Sequence, residues 1–110
     1  MNFELKLAQR RTALLKNHVQ ELKELTALEM EARVTLTQRY NQERKNLLPR
    51  VDKCSLEWTQ LIINQSSQLA ALISVYSQKR IGILERQDEE TRQLEQQIDL
   101  ERNSHSSSEE

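Results

Sequence analysis

Large apolar residues return every eleven positions through most of this chain. Phe3, Leu14, Leu25, Leu36, Leu47, Trp58 and Leu69 form one such series without exception. A second series runs four residues later, through Leu7, His18, Glu29, Tyr40, Val51, Ile62, Ile73 and Leu84, and six of its eight members are apolar. Eleven residues over three turns is about 3.67 per turn, close to the 3.6 of a straight α-helix. Shorter heptad pieces coexist with it, such as Ile62, Leu69, Tyr76 and Ile83. The mixture predicts long helices with modest supercoiling rather than a regular zipper.

The stripe bears on how the chain passes Pro49. Proline inside a helix removes a hydrogen bond and disfavours the α conformation at the residue before it. The segment Lys45–Asp52 offers only Asn46 and Pro49 as strong turn-formers, while Leu47 and Val51 carry the eleven-residue phase through it. On this reasoning the fold class is all-α: long, extended helices of coiled-coil type, two in line with a kink or short break near Pro49. A hairpin turn is the alternative. The first helix is expected over about residues 3–47 and the second over about 50–102. The extended helical region covers 1–102, with its break near 46–52. Residues 103–110, Asn-Ser-His-Ser-Ser-Ser-Glu-Glu, have nothing to bury and are expected to form a disordered, acidic, Ser-rich tail.

Composition excludes most other architectures. The 110 residues include one glycine (Gly82) and one proline, against roughly 7% and 5% in average globular chains. Sheets and compact α/β folds need far more chain reversals than that allows. The net charge of −1 hides a division. Residues 1–50 carry ten Lys/Arg and six Asp/Glu, whereas residues 51–110 carry six and eleven. Oppositely charged halves suit antiparallel contact, within one hairpin or between two chains. The lone Cys54 excludes an internal disulfide framework and fits a reducing compartment, where a small buried thiol is the expectation. The N-terminus shows no secretory pattern, and the longest uncharged stretch is too rich in Asn, Gln and Ser to span a membrane. A soluble, cytoplasmic protein is expected.

Residues 54–78 are the most informative segment. Only Glu57 is charged there, in a chain that is 30% charged overall. Trp58, Leu61, Ile62, Leu69, Leu72, Ile73 and Tyr76 occupy more than one face of a helix, which implies contact on two sides. They are the candidate partner-binding residues. The competing explanation is that the same residues are the core of a homodimer, since both arrangements bury the same surface. Trp58 suits an interface anchor and suits a core equally well. Asn64 and Gln65 either fix register as buried polar groups or point to water. A helix this long cannot cover its own stripe, so a second copy, other helical subunits, or both are expected to do so.

Little else suggests chemistry. His18 and His105 have no second ligand at metal-binding spacing, and no glycine-rich loop or nucleophile grouping is present. No catalytic, cofactor-binding or metal-binding residue is assigned, and no cofactor. Gly82 reads as a tolerated surface glycine. Arg10, Arg11, Arg33, Arg39, Arg44 and Lys45 are diluted by intervening glutamates, so a solvated face explains them better than nucleic-acid binding does. In layout the chain resembles small helical subunits of coiled-coil complexes on organelles or vesicles, kinetochores or centrosomes, by architecture alone. The expected function is a non-catalytic structural subunit of an elongated multi-subunit complex, assembling through its stripe. The alternative is a peripheral membrane-binding module using the basic N-terminal half, with any membrane contact otherwise indirect.

Overall fold

The computed structural model describes the backbone of residues 2–109 and the side chains of residues 2–104. Two helices account for almost all of it: α1, Asn2–Leu47, and α2, Leu56–Glu109. At 46 and 54 residues they measure roughly 69 and 81 Å at 1.5 Å per residue. No strand occurs among the described residues. The all-α reading therefore holds, with long helices and a break beside Pro49. Helix α2 continues past Arg102, the boundary read from the sequence, to Glu109. The expected disordered tail at 103–110 falls mostly on residues 105–110, whose side chains lie outside the described residues.

The course of the chain at the break is not in line. It reverses, and side chains of the two helices meet although they are far apart in sequence. Packing divides the chain into two units, one of Met1–Lys23 with Arg80–Glu110, the other of Glu24–Lys79. In the first unit Arg10 Nη1 donates to Glu101 Oε2 at 2.6 Å, and Arg102 Nη2 donates to Glu4 Oε2 at 3.0 Å. In the second, Arg39 Nη2 donates to Gln68 Oε1 and Arg44 Nε to Gln65 Oε1, each at 2.8 Å. Each unit is thus an antiparallel helix pair, an arrangement compatible with coiled-coil packing.

The turn itself explains why the stripe misled. Helix α1 ends before Pro49, which lacks the N–H needed to extend the ladder to Lys45. Yet the chain winds for one more turn, with Val51 N donating to Leu47 O at 3.1 Å and Arg50 N to the same oxygen at 2.9 Å. Leu47 and Val51 keep helical phase for that reason, not because the helix continues. A second turn follows. The Asp52 carboxylate accepts from Cys54 N at 2.7 Å, and Ser55 N donates to Asp52 O at 3.1 Å. Ser55 then caps α2, its Oγ accepting from Trp58 N at 3.1 Å. Glu57 in the first turn of α2 and Arg44 and Lys45 in the last turn of α1 suit the helix dipoles. Cys54 is exposed in this turn, contrary to the expectation of a buried thiol.

Both eleven-residue series describe the packed face of α1. Phe3, Leu14, Leu25, Leu36, Leu47 and Leu7, His18, Glu29, Tyr40 are all buried or half-buried. In α2 the packed face is centred on different positions: Leu61, Leu72, Ile83, Leu94, and four residues further on Gln65, Tyr76, Gln87, Ile98, with Trp58, Ile62, Leu69 and Ile73 of the α1 phase half-buried beside them. The period is unchanged, but the phase slips by three residues across the turn. Leu84, which continues the α1 phase, is exposed.

Candidate interaction face

The seven residues singled out by sequence fall together in the second unit. Trp58, Leu61, Ile62, Leu69, Leu72, Ile73 and Tyr76 are each half-buried on α2. The antiparallel half of α1 covers part of this surface, so the chain does bury its own stripe in part. The expectation that only another molecule could cover it is corrected accordingly. A helix pair shields one side of each apolar stripe and leaves the flanks wet.

What holds the pairs in register is polar, and sequence reasoning had not placed most of it. Gln65 is only 2% exposed, donating through Nε2 to Tyr40 O at 3.2 Å and accepting from Arg44. Gln87 plays the corresponding part in the first unit, donating to His18 O at 3.0 Å and to Glu21 Oε1 at 3.1 Å. His18 is buried and its Nε2 lies 3.3 Å from Glu90 Oε1. A buried glutamine or histidine without its partners would cost about 1–3 kcal/mol, so slipping the helices past one another is penalised at each of these levels. Asn64, by contrast, is exposed and accepts from Gln60 on its own helix. The Tyr40 hydroxyl is buried and unpaired.

Charge pairing between the basic and acidic halves occurs within the chain. Arg11 meets Glu95 through two bonds of 2.7 Å, the fork geometry that a guanidinium and a carboxylate favour. Its hydrogen bond to Arg11 holds the Glu95 carboxyl below its ordinary value, and the same bond raises Arg11. Glu21 and Arg86 form a further pair across this unit. Arg33 pairs with Glu29 on its own helix at 3.6 Å. The arginines of α1 are therefore largely engaged.

Two surfaces of the second unit stay open. On α2, Thr59, Ile63, Ala70 and Ser74 are exposed and uncharged, Ile63 being 52% exposed. Beside the helix contact lies a groove of about 460 Å³, lined by Leu28, Glu31, Ala32, Thr35, Leu36 and Arg39 of α1 and by Leu72 and Tyr76 of α2. Lys79 Nζ sits 4.9 Å from the Tyr76 ring centre. In the first unit, the depression between the helices is more polar, with Asn17, Gln93 and Gln97 among its walls.

Gly82 is exposed, and a Cβ there would meet nothing within 4 Å. Among the described residues no group of three His, Cys, Asp or Glu side chains is placed to hold a metal ion. No helix among them is long and apolar enough to cross a membrane. Comparisons with protein-family models, with curated proteins and with solved structures return no match.

Proposed function

We propose that this chain is a non-catalytic structural subunit of a cytoplasmic multi-subunit helical complex, presenting the outward surface of α2 to other helical proteins. One observation carries the reading: residues 58–78 contain no charged side chain, although their outward positions are exposed. A helix face serving only to stay wet would be charged, as Glu85–Arg92 is, with four acidic and two basic residues in eight. Interface cores, in contrast, are depleted of charge. Small residues such as Ala70 and Ser74 let another helix approach closely, and Ile63 supplies apolar area. The alternative of a lipid-facing N-terminal half has less to stand on, because Arg10 and Arg11 are occupied by Glu101 and Glu95.

The test is affinity purification of the wild-type chain beside an Ile63→Glu, Ala70→Glu variant, with partners identified by mass spectrometry. The variant is expected to keep its helical circular dichroism and to lose its helical partners. Retention of the same partners by the variant would reject α2's outward face as the assembly surface. Salt-sensitive liposome binding by the wild type, without protein partners, would favour the membrane alternative.

A further inference from the structure

The groove beside the helix contact carries opposite charges at its two ends. Glu31 and Arg39 both line it from α1, eight residues apart, with Thr35 midway between them. Eight residues on a helix span about 12 Å, so the two cannot pair with each other. Glu31 makes no hydrogen bond or ion pair among the described residues. Arg39 donates to Gln68 through Nη2 and stands 3.9 Å from Glu43, but a guanidinium has five N–H groups and its side chain is more than half exposed. Between them the groove is lined by Ala32, Thr35 and Leu36 of α1 and by Leu72 and Tyr76 of α2, and Leu28, 56% exposed, lies one turn beyond Glu31.

We infer that a second copy of this chain seats on the groove, antiparallel, about a two-fold axis passing near Thr35. That operation places Glu31 of each copy against Arg39 of the other and sets the apolar lining nearest the axis, Leu36 and Leu72, of one copy against that of the other. A parallel arrangement would set like charges face to face. The charge pattern is self-complementary about one point, which is what a two-fold interface requires of a single surface. Two helix pairs joined in this way form a four-helix antiparallel bundle, burying flanks that one pair leaves wet. This rests on the structural-subunit reading and adds a partner at a surface separate from Ile63 and Ala70.

The test measures self-association of the full chain by sedimentation equilibrium over a concentration series. Wild type is expected to dimerise. Arg39→Glu alone and Glu31→Arg alone each convert two attractive contacts into two repulsive ones and are expected to weaken the dimer by about tenfold. The double swap restores opposite charges across the axis and is expected to recover wild-type association to within about twofold. Recovery cannot arise inside one chain, because the two positions do not touch there. Independently, in a Cys54→Ser background, Thr35→Cys should form a disulfide-linked dimer on mild oxidation, while Thr37→Cys, on another face, should not. A wild type that stays monomeric throughout, a double swap that fails to recover, or equal cross-linking at both cysteines would each overturn the proposal. The structural-subunit reading would survive such a failure if Ile63→Glu, Ala70→Glu still released helical partners. It would fall separately if dimerisation held but that variant changed nothing.

Discussion

Replacing Ile98 by alanine should destabilise the first unit far more than replacing Leu100, two residues later on the same helix. Ile98 is fully buried, at 0% exposure, whereas Leu100 is 69% exposed. Ile98→Ala removes three carbons, worth about 2.4 kcal/mol at roughly 0.8 kcal/mol each. The space left behind raises the cost to about 3 kcal/mol. Alanine's better helix propensity returns roughly 0.4 kcal/mol. Leu100→Ala uncovers no cavity and should stay within about 0.5 kcal/mol. The assay is urea unfolding followed by circular dichroism at one protein concentration. With a slope of about 1–3 kcal/mol per molar, the Ile98 variant should lose about 1–3 M in midpoint. Among the described residues buried apolar side chains are few, Leu7, Leu25, Tyr40 and Ile98, and only Leu7 and Ile98 are fully buried, so such a loss is a large share of what holds the helices together. Equal midpoint shifts for the two variants would refute the placement of α2's packed face at Gln65, Tyr76, Gln87 and Ile98.

Three further outcomes follow from the same geometry. Ser55→Ala removes the cap on Trp58 N and should cost about 1 kcal/mol, read as a lower thermal midpoint, with Ser55→Gly costing less. Gly82→Ala meets no neighbour and should stabilise the chain by up to about 1 kcal/mol, so an unchanged or lower midpoint would show that position 82 is contacted. Because the Glu95 carboxyl is held below its ordinary value of 4.5, its pairing with Arg11 contributes stability above that value and loses it as pH falls through the lowered one. The difference in thermal midpoint between wild type and Glu95→Gln should therefore shrink below about pH 4.5, and a gap that persists into strong acid would show the pairing to be irrelevant.

The two helices and the packed face of α1 were legible in the order of residues alone. Its apolar period is a local property of the chain, set by where side chains emerge from a 3.6-residue spiral, so Leu7, Leu25 and Tyr40 could be read as inward-facing before any fold was known. The charge division between the halves likewise anticipated antiparallel contact, and Arg10 with Glu101 and Arg11 with Glu95 bear that out. Direction at Pro49 was not legible in the same way. One extra winding turn keeps Leu47 and Val51 in phase whether the helix continues or stops, and the stop depended on Asp52 and Ser55, whose signal is weaker than that of proline or glycine. The packed face of α2 was partly legible, since Leu61, Leu72, Ile83 and Leu94 stand at elevens. Its deeper row was hidden because Gln65 and Gln87 count as polar. Their burial is a matter of helix pairing: a glutamine can be buried when a carbonyl or a charged group of the opposite helix meets it, and which groups meet depends on register between two helices, not on either helix alone.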